Sequence, residues 1–175
     1  MTSTKTLVEE HWLILKALDL LESAAARAEA VPDAWWHGLL DWLHDFADRR
    51  HHAKEENVLF PAMVRCGAPE RGGPIDVMLE EHVLVRSLVT AMADRVPERR
   101  ASAAREYARL TREHIDKENL IVFPFAEAIL DPPTVEAVRR DFESADRAQK
   151  RTLGPATAET ELARLAQALV VISAG

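Results

Sequence analysis

The feature that most constrains this chain is a pattern of histidine and glutamate that occurs twice. Residues 51–61 read HHAKEENVLFP, and residues 114–124 read HIDKENLIVFP. A shorter element, in which two glutamates precede a histidine, comes before each copy, at residues 9–11 and 80–82. Because histidine and glutamate four residues apart lie on one face of an α-helix, each copy can direct two side chains at one metal ion. The duplication therefore predicts a two-metal site inside a helical bundle.

The composition is that of an ordinary globular protein. With 175 residues, 47% hydrophobic and 29% charged, the sequence predicts one domain over residues 1–175, which buries roughly two thirds of its unfolded surface. The net charge of −7 makes nucleic acid and anionic membranes poor partners. The single cysteine, Cys66, excludes an intrachain disulfide and a thiol-ligated iron–sulfur cluster. Since neither an apolar signal core nor a membrane-length run is present, we expect a cytoplasmic protein.

Proline and glycine clusters divide the chain into segments whose apolar period is that of an α-helix. We predict helices at about 4–29, 33–65, 74–95, 98–130, 134–152 and 157–172. Pro61 and Pro124 are expected to kink or end their helices. Short turns favour antiparallel neighbours, so the expected fold is all-α, an up-down-up-down four-helix bundle with two extra C-terminal helices. The metal-binding core would span about 4–130 and the helical extension about 132–175.

The candidate ligands fall on the stripes of residues that face the predicted core. These stripes are Leu7, His11, Ile14, Leu18, Leu21 and Ala25; Leu40, His44, Ala47, His51, Glu55 and Val58; Ile75, Met78, His82, Val85, Val89 and Met92; and Tyr107, Leu110, His114, Glu118, Ile121 and Phe125. A carboxylate is costly in such a place unless a positive group receives it. The last two helices carry apolar stripes without such residues. We expect them outside the four-helix core or at a subunit contact, which leaves a homodimer open.

Imidazole and carboxylate ligands without thiolates favour two non-haem iron ions, with manganese as the alternative metal, over structural zinc. The candidate metal ligands are His11, His51, Glu55, His82, His114 and Glu118. If Glu55 and Glu118 bridge the ions, about one or two positions per ion remain for a bridging oxo or hydroxo group, water or an added ligand. The alternative is a set of hydrogen-bonded core residues, which suits one inward histidine better than a duplicated set.

His52 and Glu56 compete with His51 and Glu55, because both pairs have the same spacing. Only His51 and Glu55 keep the distance to the following Phe-Pro that is found in the second copy. His52 and Glu56 should point about 100° away. We therefore expect them on the outer face or in a supporting role beside the ligands.

These motifs resemble those of the hemerythrin-like, HHE cation-binding family. They are the two Glu-Glu-His elements, His-x-x-Lys-Glu-Glu-x-x-Leu-Phe-Pro and His-x-x-Lys-Glu-Asn-x-x-x-Phe-Pro, and the resemblance covers about residues 5–130. It implies a four-helix bundle with a carboxylate-bridged di-iron centre that meets O₂, NO or peroxide. Carried over by motif, His11 and His51 would ligate one iron and His82 and His114 the other. Glu55 and Glu118 would bridge them.

The chain departs from the oxygen-carrying hemerythrins at two positions. Those proteins have a second histidine four residues after the one on the third helix, where this chain has Arg86. Their fourth-helix carboxylate is an aspartate five residues after the histidine, whereas Glu118 comes four residues after His114. The four-histidine set is more similar to that of members involved in iron–sulfur-cluster repair and nitric oxide response. Those usually carry an N-terminal cysteine-bearing segment, which this sequence lacks.

Other polar and aromatic residues have a structural and a functional interpretation. His44 and Tyr107 each lie seven residues before a ligand histidine, so they should occupy the next core layer, as ordinary core residues or as part of a pocket or proton relay. Thr111 is a candidate for lining an open metal position. We expect His37 at the surface. The tryptophans, Trp12, Trp35, Trp36 and Trp42, should pack between helices.

Three functions are compatible with these motifs. The favoured one is a di-iron protein that binds, stores or senses O₂, NO or peroxide. The alternative is a di-iron enzyme, peroxidase-like or NO-reducing, or an iron donor in cluster repair. A structural module with a vestigial site is disfavoured, because all the ligand positions are intact.

Overall fold

The structure, a computed structural model, describes residues 3–148 and 153–174. Within them the fold is all-α without strands, as predicted. The elements are α1 (Lys5–Ala25), α2 (Asp33–Trp42), the π-helical segments π1 (Leu43–His52) and π2 (Glu55–Leu59), α3 (Phe60–Arg65), α4 (Pro74–Ala91), α5 (Pro97–Lys117), π3 (Glu118–Val122), α6 (Phe123–Ile129), α7 (Pro132–Ala148) and α8 (Pro155–Ala174). The segments α2–π1–π2–α3 and α5–π3–α6 are continuous rods. The predicted end of the fifth helix, at 149–152, lies outside the described residues.

The bundle consists of four rods, namely α1, the rod α2–π1–π2–α3, α4 and the rod α5–π3–α6. Helix α1 packs against α5 and π1, and α4 packs against the same two elements, so the four rods enclose a common core. The ligand-bearing part of α1 lies between Leu7, which belongs to one apolar cluster around Phe60, and Ile14, which belongs to a second around Trp36. The polar layer that contains His11 is therefore closed by apolar residues above and below.

The two C-terminal helices pack on the outside of the bundle, as one of the two predicted arrangements requires. Helix α7 contacts π2, and α8 lies against α1 and α2. The indole N–H groups of Trp35 and Trp42 donate hydrogen bonds to the carbonyls of Leu165 and Ala158, at 2.9 and 3.0 Å. These bonds anchor α8 while satisfying buried donors.

The π-helical segments change the register of the two long rods. A π turn closes i→i+5 hydrogen bonds and takes in one extra residue, so side chains beyond it rotate by about 100° relative to an α-helix. The predicted inward positions of His44 and Ile121 are therefore wrong, whereas Val58 is partly buried against the apolar cluster around Phe60. His44 is 57% exposed. Leu59 and Val122, one residue later than predicted, are buried instead.

Of the two predicted effects of the prolines in the duplicated motif, a kink or an end of the helix, the second does not occur. Pro61 and Pro124 are each the second residue of an α-helical segment that follows a π turn, and the rods continue to Arg65 and Ile129. The wider turn before each proline accommodates a residue that cannot donate a hydrogen bond.

Among the tryptophans, only the three of the second rod pack as predicted. Trp12 is 70% exposed, because it follows the inward-facing His11 and so points about 100° away from the core. His37 is exposed, as expected. None of the described helices is long and apolar enough to span a membrane.

Candidate metal centre

The predicted ligands converge in one buried layer. His11 comes from α1, His51 from π1, His82 from α4 and His114 from α5. Glu55 and Glu118 are the first residues of π2 and π3. All of these side chains are at most 2% exposed. Every rod of the bundle thus contributes a side chain to this layer, and the π-helical segments π2 and π3 begin at the two glutamates.

The four imidazoles approach one another in two pairs through their Nε2 atoms. The Nε2 atoms of His11 and His51 are 3.1 Å apart, and so are those of His82 and His114. Two nitrogens about 2.1 Å from one ion, at a right angle to each other, are separated by about 3 Å. Each pair therefore has the spacing of two ligands on a single metal ion.

Each glutamate reaches both pairs of imidazoles. The two oxygens of Glu118 lie 3.0 Å from Nε2 of His11 and 3.1 Å from Nε2 of His114. The two oxygens of Glu55 lie 3.5 Å from the Nε2 atoms of His51 and His82. A carboxylate with one oxygen toward each pair has the placement of a bridging ligand.

The chemistry of this layer fits metal cations. All four oxygens of Glu55 and Glu118 are buried and lack a hydrogen-bond partner. Burial and the neighbouring Glu118 carboxylate raise the pKa of Glu55 well above its usual value. Burial raises the pKa of Glu118 too, but His114 and His11 outweigh it and hold that pKa well below its usual value. Buried carboxylates are rare in protein interiors unless they are paired or coordinate a metal. Groups of donor atoms within 4.8 Å of one another are His11, His51, Glu55 and Glu118, and His52, Glu55, His82 and His114.

Each Nδ1 atom of the four histidines has a hydrogen-bond partner behind the ring. The acceptors are Asn119 for His11 at 3.1 Å, Glu10 for His51 at 3.2 Å, Glu56 for His82 at 2.7 Å and Glu81 for His114 at 2.8 Å. Since these acceptors place the proton on Nδ1, the Nε2 lone pair is left to face the centre of the layer. The expected supporting role of Glu56 agrees with this contact.

These outer partners repeat the duplication seen in the sequence. Lys54 contacts Glu10, and Lys117 contacts Glu81 in the same way. The two copies differ in burial, because Lys54 is 1% exposed and also pairs with Asp146 of α7, whereas Lys117 is 37% exposed. The halves of the bundle are thus related by an approximate twofold axis that α7 breaks.

Glu10 is the most strongly held of these acceptors. It accepts hydrogen bonds from Arg50, His51 and Lys54. Burial raises the pKa of this carboxyl, but the hydrogen bond from His51 and the charges of His51 and Lys54 outweigh it and lower the pKa to about 2. Burial lowers the pKa of the His51 imidazole to about 4, so His51 is neutral and fit to ligate at neutral pH.

His52 is the residue that sequence reasoning misplaced. It is only 3% exposed, so the outer-face expectation is wrong, and its ring stacks on His82 with centroids 4.0 Å apart. One of its nitrogens belongs to the donor group around His82. The corresponding residue of the second copy, Ile115, is also buried. The internal repeat aligns His52 with an isoleucine, so the repeat gives no sign of a polar role for His52. Only the π-helical register of π1 could have indicated that role.

The motif resemblance is confirmed by a family comparison. The model of the hemerythrin HHE cation binding domain matches residues 2–126. This chain belongs to that family. The match covers the four rods that carry the ligand layer, while α7 and α8 lie beyond it. No curated protein and no solved structure matches the chain.

Proposed function

We propose that this hemerythrin-like chain holds two non-haem iron ions and that the centre binds or senses O₂, NO or peroxide. His11 and His51 would hold one ion, His82 and His114 the other, and Glu55 and Glu118 would bridge them. The observation that carries the proposal is the pair of buried carboxylates, whose four unpartnered oxygens lie between two converging pairs of imidazoles. A pair of cations is the counter-charge that this donor set requires.

His52 would make the two ions unequal. It adds an imidazole on the side of His82 and His114, where the other side has the apolar Ile115. The oxygen-carrying hemerythrins supply a further histidine from the third helix, at the position of Arg86 in this chain. Here His52 approaches the same metal position from π1. We infer that five histidines surround the two metal positions and that the fifth, His52, comes from π1 and not from the third helix.

The protein's own residues prepare this site for a small ligand. Iron bound here would supply a redox-active centre with room for a diatomic molecule or peroxide. The Nδ1 hydrogen bonds hold each ring in its ligating orientation, which keeps the donor positions preorganised. The apolar clusters on both sides of the layer exclude bulk water and strengthen electrostatic interactions within it.

A turnover enzyme, peroxidase-like or NO-reducing, is the second candidate. It is favoured by a cavity of about 240 Å³ beside His52, which is larger than a diatomic ligand needs. Tyr107 lines this cavity and could present its hydroxyl to a bound molecule. Burial raises the pKa of Tyr107, so its proton is retained at neutral pH.

Metal analysis combined with optical spectroscopy tests both candidates. Protein produced with iron should contain two ions per chain and change its spectrum on addition of O₂, NO or hydrogen peroxide. A change that is complete at one ligand per ion pair supports binding, and sustained consumption of peroxide or NO supports an enzyme. Metal content of one ion or none per chain would contradict the di-iron proposal.

A further inference from the structure

The cavity beside His52 combines mostly apolar walls with a few polar side chains that the ligand layer alone does not explain. It lies between π1, α4 and α5, and its lining includes Val85, Val89, Asp48, Arg86, Tyr107 and His52. Its volume of about 240 Å³ corresponds to roughly eight waters, at about 30 Å³ each. The cavity is therefore large enough for a small organic molecule.

The buried end of the cavity carries a polar atom without a partner. Nδ1 of His52 has no hydrogen-bond partner, and the nearest carboxylate oxygen, on Asp48, is 3.6 Å away. Because unsatisfied buried polar groups are costly, this end has the character of a place built to receive a polar guest.

Arg86 stands at the outer end. It is 38% exposed, and its guanidinium donates to Asp48 and Glu56, at 2.7 Å each. These bonds tie α4 to the rod that carries His52, and Glu56 in turn holds His82. Two carboxylates and one guanidinium leave this end with a net negative charge, which repels anions.

We propose that this cavity is the passage by which ligands reach the metal position of His52, His82 and His114, and that Arg86 closes its outer end. The passage admits small uncharged molecules, such as O₂, NO and hydroperoxides, and disfavours anions. This inference rests on the proposed di-iron function. Arg86 is partly exposed and both its ion pairs lie at the mouth of the cavity, so water can replace them and Arg86 can swing away without unfolding the bundle.

The first test is Arg86→Ala in the iron-loaded protein, with stopped-flow spectroscopy. The rate with tert-butyl hydroperoxide should rise by about tenfold, the order expected when two partly exposed ion pairs no longer hold the barrier. The association rate of azide should fall, because Asp48 and Glu56 lose their cation. A general loosening of the fold would instead change both rates in the same direction.

Arg112→Ala is the matched control. Arg112 is 34% exposed and likewise bridges two carboxylates, Asp19 and Glu22, but it lies outside the cavity. It should leave both rates unchanged. If Arg86→Ala behaves like this control, Arg86 does not close the passage and the inference is overturned.

A second variant tests the passage without any metal chemistry. Val89→Trp should fill the cavity, which Val89 lines. We expect it to abolish the ¹²⁹Xe NMR shift that the cavity causes in the metal-free protein, and to slow the hydroperoxide reaction of the loaded protein. Loss of the xenon shift with an unaltered reaction rate would refute the passage. If native protein reacts with no ligand although it holds two ions, the proposed function fails, whatever the xenon result.

Discussion

The oxygens of Glu55 and Glu118 are buried and none of them accepts a hydrogen bond from the described residues. In the metal-free protein the two carboxylates repel each other, which is why burial together with Glu118 raises the pKa of Glu55. The same oxygens would become ligands if cations bound here. Stability and metal affinity therefore make opposite demands on Glu55.

We expect Glu55→Gln to separate those demands. Because burial and Glu118 disfavour the Glu55 carboxylate, replacing it by a neutral amide should raise the free energy of unfolding of the metal-free protein by about 1–4 kcal/mol. The same variant should retain fewer than two ions after dialysis, because a bridge serves both. Chemical denaturation and metal analysis measure the two effects. Equal metal content in variant and native protein would refute the bridging role.

Glu56→Gln is the matched control for that experiment. Glu56 is half-buried and holds His82 from behind, so its loss should weaken metal binding by about 10–100-fold without removing a ligand. At saturating metal the variant should still bind two ions.

The role of His52 can be tested by replacing it with an apolar residue, as in the second copy. His52→Leu should weaken one of two steps in a metal titration by at least about tenfold, because one ion would lose an imidazole. His44→Leu is the control, since His44 lies in the same segment but is exposed. Two unaltered binding steps in His52→Leu would show that the ring only stacks on His82.

His51 makes the stability of the metal-free protein depend on pH. Its pKa in the folded state is about 4, against 6.5 for a free imidazole, so only the unfolded chain takes up this proton between those values. The contribution of His51 is thus fully present above pH 6.5 and declines on acidification, by about 1.4 kcal/mol per pH unit. Between pH 7 and 5, His51→Leu should gain about 2 kcal/mol relative to native protein. Parallel pH profiles in urea unfolding would contradict this.

At the scale of elements, the sequence predicted the site where local spacing determines it, and it failed where a π-helical segment changes the helical register. The convergence of His51 and Glu55 with their copies was predictable, because the spacing is local and occurs twice. The inward turn of His52 was not, since a π turn shifts the helical phase without a residue type that marks it. The predicted inward positions of His44 and Ile121 were wrong for the same reason, because each residue lies within a π-helical segment.

Helix α7 is attached through an apolar anchor and an ionic one. Val138 and Phe142 are buried in the cluster around Phe60, and Asp146 pairs with Arg50 and Lys54. Phe142→Ala should lower the free energy of unfolding by about 3–5 kcal/mol, the usual cost of such a truncation in a core. Val135→Ala, at a partly buried position of the same helix, should cost about 1 kcal/mol. Similar losses in urea denaturation would mean that Phe142 does not anchor α7.

At the scale of the whole molecule, metal ions would add direct links between rods that otherwise meet through side-chain packing, hydrogen bonds and ion pairs. Ligands that bind only the folded state stabilise it, by roughly 4 kcal/mol at a thousand times the dissociation constant. Chelation should therefore lower the melting temperature by about 10 °C for a chain of this size. The effect should be much smaller in Glu55→Gln. An unchanged melting temperature on complete metal removal would show that the centre does not hold the bundle together.

The approximate twofold axis has a consequence for how such a centre can arise. Each half of the bundle contributes two imidazoles and one carboxylate, so two identical helical hairpins would assemble the same donor set as a symmetric dimer. Joining the hairpins in one chain frees the halves to diverge. Here one half has His52 where the other has Ile115, and it carries a cover of two further helices on α1, α2 and π2. A single chain of this kind would permit its two metal positions to differ, one covered by packing and the other beside an open cavity.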